Sequence, residues 1–194
     1  MLKRTLVRFF VNIWGKARYL LENRWTRRGK KAKINRPPKE RRVRGNMNEM
    51  LLKARNMLHE GGYACVVCGR DTVAVSEKRG VMPLLQWLAE GKNWQGCAAA
   101  DRVVGRAAAF LYVRLGVTAV YADVISRGGA EVLAGRGIET AWGEQVPFIA
   151  NRSGDGLCPM EEAVLSLDDP EAAEEALRRK AAALAQAGGM ARPR

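Results

Sequence analysis

The chain has 194 residues and a formal net charge of +13 at pH 7, and its length suits one folded domain with an appendage. The charge is unevenly distributed, because residues 1–45 carry a net charge of +14 and residues 46–194 carry −1. The folded domain is therefore not predicted to bind nucleic acid through its overall charge. No stretch approaches the roughly 20 uninterrupted apolar residues that a membrane span requires.

Residues 1–45 are predicted to form a basic arm. Apolar residues recur at roughly helical spacing over residues 2–14, with basic residues between them, which is typical of a helix that binds an anionic membrane surface. Residues 24–44 are polar, basic and interrupted by two prolines, so they are expected to be a disordered linker. The arm either makes weak contact with an anionic membrane or nucleic acid, or is a poorly ordered tail or a translation start placed too far upstream.

The four cysteines are predicted to be reduced thiols. No signal peptide is recognised, because the N-terminal apolar run is interrupted and no small-residue cleavage site follows, so we expect a cytoplasmic protein. Cys65 and Cys68 are three apart in a predicted strand and point to opposite faces, which favours two buried apolar residues over a metal or redox pair. Cys97 lies in another apolar strand and is interpreted in the same way.

The domain is predicted over residues 46–187, with a disordered tail at 188–194. Hydrophobic periodicity and capping signals predict helices and strands in alternation. The predicted helices are 48–60, 81–89, 103–115, 126–134, 159–165 and 170–187. The predicted strands are 63–68, 72–76, 96–100, 117–124 and 138–142. A hairpin followed by crossover helices indicates the α/β class, with a mixed sheet between helices in a three-layer α-β-α arrangement.

A glycine-rich loop at residues 151–156 is followed directly by a thiol and a predicted helix. Pro159 suits the first helical position, which places Cys158 at the N-cap and Glu161 at the third position. A thiol there faces free backbone N–H groups and the positive end of the helix dipole, which favours the nucleophilic thiolate. The alternative is that Cys158 is a capping residue tied to a tight loop.

Asp101 is predicted at the junction between a buried strand and the helix that follows. There it either caps the helix or points into the crevice at the strand's carboxyl end, where open α/β sheets bind ligands. Gly105 would let a ligand or a neighbouring strand approach that helix, and Arg102 and Arg106, four apart, would reach a phosphate. Ser126 follows the next strand at the equivalent edge and either caps its helix or binds the same ligand.

Four segments resemble a small bacterial domain-of-unknown-function family, family 1893. They are residues 79–85, 100–109, 121–126 and 151–161, within a match that runs from about residue 46 to residue 180. The resemblance implies a cytidine-deaminase-like fold, which the predicted order of elements also resembles. It implies no activity, because none is established for that family.

Zinc-dependent deamination is not expected. Deaminases of this fold hold zinc through His-x-Glu at one helix start and Pro-Cys-x-x-Cys at the next. The matching segments here, 79–83 and 101–105, contain no His or Cys, and the one histidine of the chain, His59, lies late in the first predicted helix. No metal and no other cofactor is predicted.

Two functions from different classes fit these features. In one, the domain is non-catalytic and binds a nucleotide or phosphorylated small molecule in a cleft at the carboxyl ends of the strands. In the other, it is a metal-independent enzyme with Cys158 as nucleophile and Asp101 as acid or base. The absence of a nearby histidine base favours binding. The candidate ligand-binding residues are Gly80, Arg102, Gly105, Ser126, Asn151, Arg152 and Glu161.

Overall fold

The structure is a computed structural model that describes residues 49–190, and the side chains up to residue 187. The predicted basic arm and the residues beyond 190 lie outside the described residues, so the predictions made for them are not tested by it. Within the described part of the chain, no helix has the length and apolar character needed to cross a bilayer.

The described residues form six helices and five strands. The helices are α1 (Glu49–Gly61), α2 (Met82–Ala89), α3 (Arg106–Leu115), α4 (Arg127–Gly135), α5 (Pro159–Ala163) and α6 (Pro170–Met190). The strands are β1 (Cys65–Cys68), β2 (Val73–Ser76), β3 (Ala98–Val104), β4 (Ala119–Ser126) and β5 (Glu139–Val146). The predicted alternation is therefore observed.

The five strands form one mixed sheet with the order β2-β1-β3-β4-β5. Strand β1 runs antiparallel to β2 and β3, while β3, β4 and β5 are parallel to one another. Consequently β2, β3, β4 and β5 all end at the same edge of the sheet. This is the edge at which open α/β sheets place their ligands.

Helices cover both faces of the sheet, which gives the predicted α/β fold with a mixed sheet between helical layers. Helix α1 packs on β1, β3 and β4 through its buried residues Leu51, Ala54 and Leu58. The helices α2, α3, α4 and α6 lie with the larger core on the other face, where α3 is buried along most of its length. Apolar burial at roughly 25 cal/mol per Å² stabilises both layers.

Strand β3 continues past the predicted end at residue 100, which corrects the predicted position of Asp101. Both Asp101 and Arg102 lie within β3, and α3 begins at Arg106 after the N-cap Gly105. The β-branched Val103 and Val104 favour strand and pair with β4. Asp101 is therefore not a helix cap, and Arg102 does not share a helix face with Arg106.

Strand β5 also continues beyond the predicted end at residue 142, through Gly143 to Val146. A side chain at position 143 would bring its Cβ within 2.9 Å of the carbonyl oxygen of Asp123. The glycine therefore allows β5 to lie close to β4 rather than ending the strand. At the C-terminus, α6 reaches Met190, three residues past the predicted end.

Candidate functional site

The N-terminus of α3, beside the predicted ligand-binding residue Gly105, is occupied by the chain's own carboxylate. Glu161 accepts hydrogen bonds from the backbone N–H of Arg106 at 2.8 Å and from that of Ala107 at 2.9 Å. Burial raises the pKa of Glu161, although these two N–H groups oppose the increase. The carboxylate satisfies two donors that a helix start otherwise leaves free.

Gly105 makes this arrangement possible. A Cβ at position 105 would overlap the carboxylate of Glu161, so the space that glycine leaves is filled by a side chain of the same protein. Ser126 caps α4 by accepting from the N–H of Gly129 at 3.0 Å. A Cβ at Gly129 would lie 2.9 Å from the carbonyl oxygen of Val104, so this helix start is also closely packed.

Arg106 ties the same segment to α3. Its guanidinium donates to the carbonyl oxygens of Val164 and Leu167 and forms an ion pair with Asp168 at 2.8 Å. Together with Glu161, it fixes the chain around α5 against α3. We call these contacts of Arg106 and Glu161, together with the space that Gly105 leaves for the carboxylate, the α3 clasp.

Asp101 is buried on the face of the sheet that carries α3. One carboxylate oxygen accepts from the N–H of Val103 at 3.0 Å, and the other accepts from the hydroxyl of Tyr112 at 2.7 Å. Burial raises the pKa of Asp101 to about 6, and these hydrogen bonds only partly offset the increase. Its partner across the β1–β3 pair is Cys65, whose pKa is raised by burial and by the nearby Asp101.

The glycine-rich loop before α5 is closed by its own contacts. The side chain of Asn151 donates to Asp155 at 2.8 Å, and its backbone N–H donates to the carbonyl oxygen of Gly156. Cys158 is the N-cap of α5, as predicted, but its side chain makes no capping hydrogen bond. The thiol is half-buried and has no hydrogen-bonding base within the described part of the chain.

Two further predicted site residues lie in exposed turns. Gly80 precedes α2 with a φ of +71°, which a glycine adopts without strain. Arg152 is exposed in the loop before α5. No hydrogen bond or ion pair in the described part of the chain joins either residue to Asp101, Arg102 or Cys158. The predicted set is therefore not brought together by direct contact.

A different polar group lies on the opposite face of the sheet, around Asp123. We call it the Asp123 cluster; its members are Arg55, His59, Arg102, Tyr121 and Asp123. Nε2 of His59 lies 2.7 Å from one oxygen of Asp123, and a guanidinium nitrogen of Arg102 lies 2.8 Å from the other. The hydroxyl of Tyr121 also reaches Asp123, at 3.1 Å.

Asp123 is held as an anion by its neighbours. Burial alone would raise the pKa of this carboxylate, but hydrogen bonds from His59 and Arg102 outweigh burial and lower the pKa. Arg102 also donates to the carbonyl oxygens of Leu58 and Tyr63. The guanidinium therefore caps the C-terminus of α1, as well as neutralising Asp123.

Arg55 lies one helical turn before His59 and on the same side of α1. Its guanidinium carbon is 4.9 Å from the centre of the Tyr121 ring, a cation–π contact. The Nε of Arg55 is buried and has no hydrogen-bond partner. Burial and Asp123 raise the pKa of Tyr121, while Arg55 opposes that increase.

Small residues of β5 border the Asp123 cluster. Helix α1 packs on β1, β3 and β4. Next to Tyr121, β5 presents the half-buried Ala141 and the exposed Gly143. A Cβ at Gly143 would lie 3.7 Å from the hydroxyl of Tyr121, which places this glycine at the border of the cluster. The charged sheet residues of the cluster, Arg102 and Asp123, therefore lie just past the middle of β3 and β4, beside a part of the sheet with small side chains.

Arg102 was a predicted site residue, whereas the other members of the cluster, Arg55, His59, Tyr121 and Asp123, were not. His59 and Asp123 are 64 residues apart, and their contact depends on how α1 crosses the sheet. One signal was present in the sequence, because Asp123 falls within a segment that carries the family resemblance. A second was the single histidine of the chain, four residues after an arginine on a helix.

Other polar regions of the described residues are less suited to binding a ligand. Two open grooves, of about 370 and 320 Å³, lie along α3 beside α6 and α4. Their charged side chains pair with one another, for example Arg114 with Glu171 and Glu174. Within residues 49–187, no group of three or more His, Cys, Asp or Glu side chains is placed to hold a metal ion.

Comparison with known proteins identifies a family and a similar fold. The family model of TM1506, a domain of unknown function (DUF1893), matches residues 53–181. The crystal structure of a DUF1893 family protein, TM1506 from Thermotoga maritima, is similar, with a TM-score of 0.61 and 25% identity over 68% of this chain and 87% of that one. No curated protein matches the chain. The expected likeness to cytidine deaminases stays a prediction.

Proposed function

This chain belongs to the DUF1893 family of domains of unknown function, and we propose that it binds a nucleotide or another phosphorylated small molecule without catalysing a reaction. The proposed site is the Asp123 cluster, between α1 and the middle of β3 and β4. Arg102, already a candidate in the sequence, supports this site from within the sheet.

The observation that carries this proposal is that two arginines and a histidine surround one carboxylate. Arg102 and His59 both contact Asp123, and Arg55 lies beside them over Tyr121. The donors of Arg102 are occupied, whereas Nε of Arg55 is buried without a hydrogen-bond partner. An unpaired buried donor costs about 1–3 kcal/mol, and a phosphate oxygen that bound it after a shift of the Arg55 side chain would recover that cost.

The location also favours binding. Open α/β sheets bind ligands outside the carboxyl ends of their strands, and β3 and β4 are adjacent and parallel. The predicted ligand-binding positions Gly105 and Ser126 are less favourable, because Glu161 occupies the start of α3 and Ser126 caps α4. An incoming phosphate at α3 would have to displace a buried carboxylate.

The metal-independent enzyme remains the second candidate, but its two proposed residues make no contact that supports catalysis. Both oxygens of Asp101 are hydrogen-bonded, to the N–H of Val103 and the hydroxyl of Tyr112. The described residues provide no base hydrogen-bonded to the thiol of Cys158. A hydrogen-bonded base is one of the ways in which a thiol nucleophile is activated, and the described residues give Cys158 none, so we favour binding.

The test is a thermal-shift screen of the full chain with inorganic phosphate, nucleoside monophosphates and ribose 5-phosphate, with unphosphorylated nucleosides as comparison. A ligand that binds the folded state raises Tm by mass action and is recovered chemically unchanged. Arg55→Gln is expected to remove most of the rise in Tm. The matched control is Arg179→Gln, which removes an exposed arginine of α6 paired with Glu175.

Two outcomes would contradict the proposal. One is that no phosphorylated compound raises Tm more than its unphosphorylated counterpart does. The other is that Arg55→Gln and Arg179→Gln leave an equal rise, which would place the anion elsewhere, for example on the basic arm. Recovery of a chemically altered ligand would favour the enzyme.

A further inference from the structure

His59 has a restricted choice of protonation states because of its contact with Asp123. Nε2 of the ring lies 2.7 Å from a carboxylate oxygen that is also close to the hydroxyl of Tyr121. A carboxylate held as an anion by Arg102 can only accept hydrogen bonds, so Nε2 must carry the hydrogen. In the neutral ring, the other nitrogen, Nδ1, then carries a lone pair.

A lone pair on Nδ1 repels an incoming anion, whereas a proton on Nδ1 turns the same atom into a charged donor. The side chain of His59 is 40% exposed, so the imidazole can exchange a proton with solvent. Histidine is also the side chain that changes charge near neutral pH. A phosphate bound between Arg55 and the Nδ1 side of His59 would therefore favour the doubly protonated ring.

The charged and titratable groups around His59 are consistent with protonation of the ring when phosphate binds. Helix α1 contributes Arg55, and β3 contributes Arg102 through Asp123. Strand β4 contributes Asp123 and Tyr121, whose ring lies edge-on to the imidazole at 5.9 Å. Strand β5 contributes Gly143, which has no side chain, beside the Tyr121 hydroxyl. Asp123 is thus the one carboxylate in the described contacts of His59, and Arg102 already neutralises it.

We infer that binding of a phosphate group at the Asp123 cluster is coupled to uptake of a proton by His59, so that protonation of His59 tightens ligand binding. This inference rests on the proposed function and specifies its regulation. By linkage, a ligand that prefers the protonated ring must also raise the pH at which the ring loses its proton.

The chain has a single histidine, so its ring proton resonances can be followed by NMR without ambiguity. The experiment titrates the full chain, prepared without a histidine tag, over about pH 5 to 9 with inorganic phosphate and with sodium chloride at equal ionic strength. Phosphate is expected to raise the midpoint of the His59 titration by about one pH unit, which corresponds to tenfold tighter binding to the protonated ring.

Variants separate the inference from the proposed function. His59→Gln keeps an N–H donor for Asp123 but cannot gain a proton, so its phosphate affinity is expected to vary with pH only as phosphate itself titrates. Arg179→Gln is expected to behave as the unmodified chain. If phosphate shifts the amide resonances of Arg55 and its neighbours but leaves the His59 midpoint unchanged, the coupling is wrong and the binding site stands. If phosphate perturbs neither, both are overturned.

Discussion

Burial raises the pKa of Asp101 into the pH range in which proteins are usually studied. Its pKa of about 6 results from desolvation, which the N–H of Val103 and the hydroxyl of Tyr112 only partly offset. The pKa in the unfolded chain is near 3.9. The folded state therefore binds a proton more tightly than the unfolded state, and the ionised form of Asp101 costs stability.

This sign predicts how stability depends on pH. As pH rises from about 4 to about 6, Asp101 should destabilise the folded state by on the order of 2–3 kcal/mol, and the loss persists above that range. Asp101→Asn keeps an acceptor for Val103 and does not ionise. The free energy of unfolding is measured with urea at about pH 4 and about pH 7.5. The value for the variant relative to the unmodified protein should be higher at about pH 7.5 than at about pH 4. Parallel pH profiles would show that Asp101 is not the source.

The four thiols differ in burial, and their reactivities should differ accordingly. Burial raises the pKa of Cys65, Cys68 and Cys97, while Cys158 is the half-buried cysteine in a loop. Because the thiolate is the reactive form, limited alkylation near neutral pH should label Cys158 first. Peptide mass spectrometry measures the order, and Cys158→Ser should remove the rapid phase. Faster labelling of Cys65 or Cys97 would contradict the described burial.

The α3 clasp joins two helices, because it fixes α5 to the start of α3. It depends on Gly105, because any side chain there would overlap the carboxylate of Glu161. Displacing that carboxylate leaves the N–H groups of Arg106 and Ala107 without their partners. A helix start and a second segment of the chain are therefore stabilised by one side chain.

Gly105→Ala is expected to lower the free energy of unfolding by about 1–3 kcal/mol, the cost of unpaired buried groups and local overlap. Gly135→Ala in α4 is the matched control, because a Cβ there meets no atom within 4 Å. That change should be neutral or slightly stabilising, since alanine favours helix. Chemical denaturation of both variants measures the difference, and equal effects would mean that the clasp contributes little.

Local patterns were sufficient to predict most of the elements. The start of α5 was predicted correctly from Pro159. Of the two roles predicted for Ser126, the structure shows the cap of α4. The β3–α3 boundary was wrong because Asp101 is a good helix cap, and local signals gave it more weight than the strand preference of Val103 and Val104. That preference prevailed because these valines pair with β4 in the folded sheet.

The polar clusters were harder to predict than the elements. The partner of Gly105 is Glu161, and the partner of His59 is Asp123, each separated by more than fifty residues. Such contacts depend on the order of strands and the packing of helices, neither of which has a local sequence signal. A pattern of residue types identifies groups capable of chemistry, but the folded sheet decides which of them meet.

The net positive charge of the chain lies in the arm, with +14 in residues 1–45 and −1 in residues 46–194. We propose that the arm binds anionic membranes or nucleic acid weakly, through charge. Deleting residues 1–45 should therefore abolish salt-sensitive binding to anionic vesicles while leaving the domain folded, as vesicle sedimentation and circular dichroism would measure. Equal binding by the truncated chain would assign the interaction to the domain.

The proposed binding of phosphate on the α1 face of the sheet, at the Asp123 cluster, can be tested by two-dimensional NMR of the full chain during titration with adenosine monophosphate, with adenosine as the unphosphorylated control. The nucleotide is expected to perturb the resonances of Arg55, His59, Tyr121 and Asp123 most strongly, and adenosine is not. The largest changes at the start of α3 or in the loop at residues 151–158, or no changes in the domain, would contradict it.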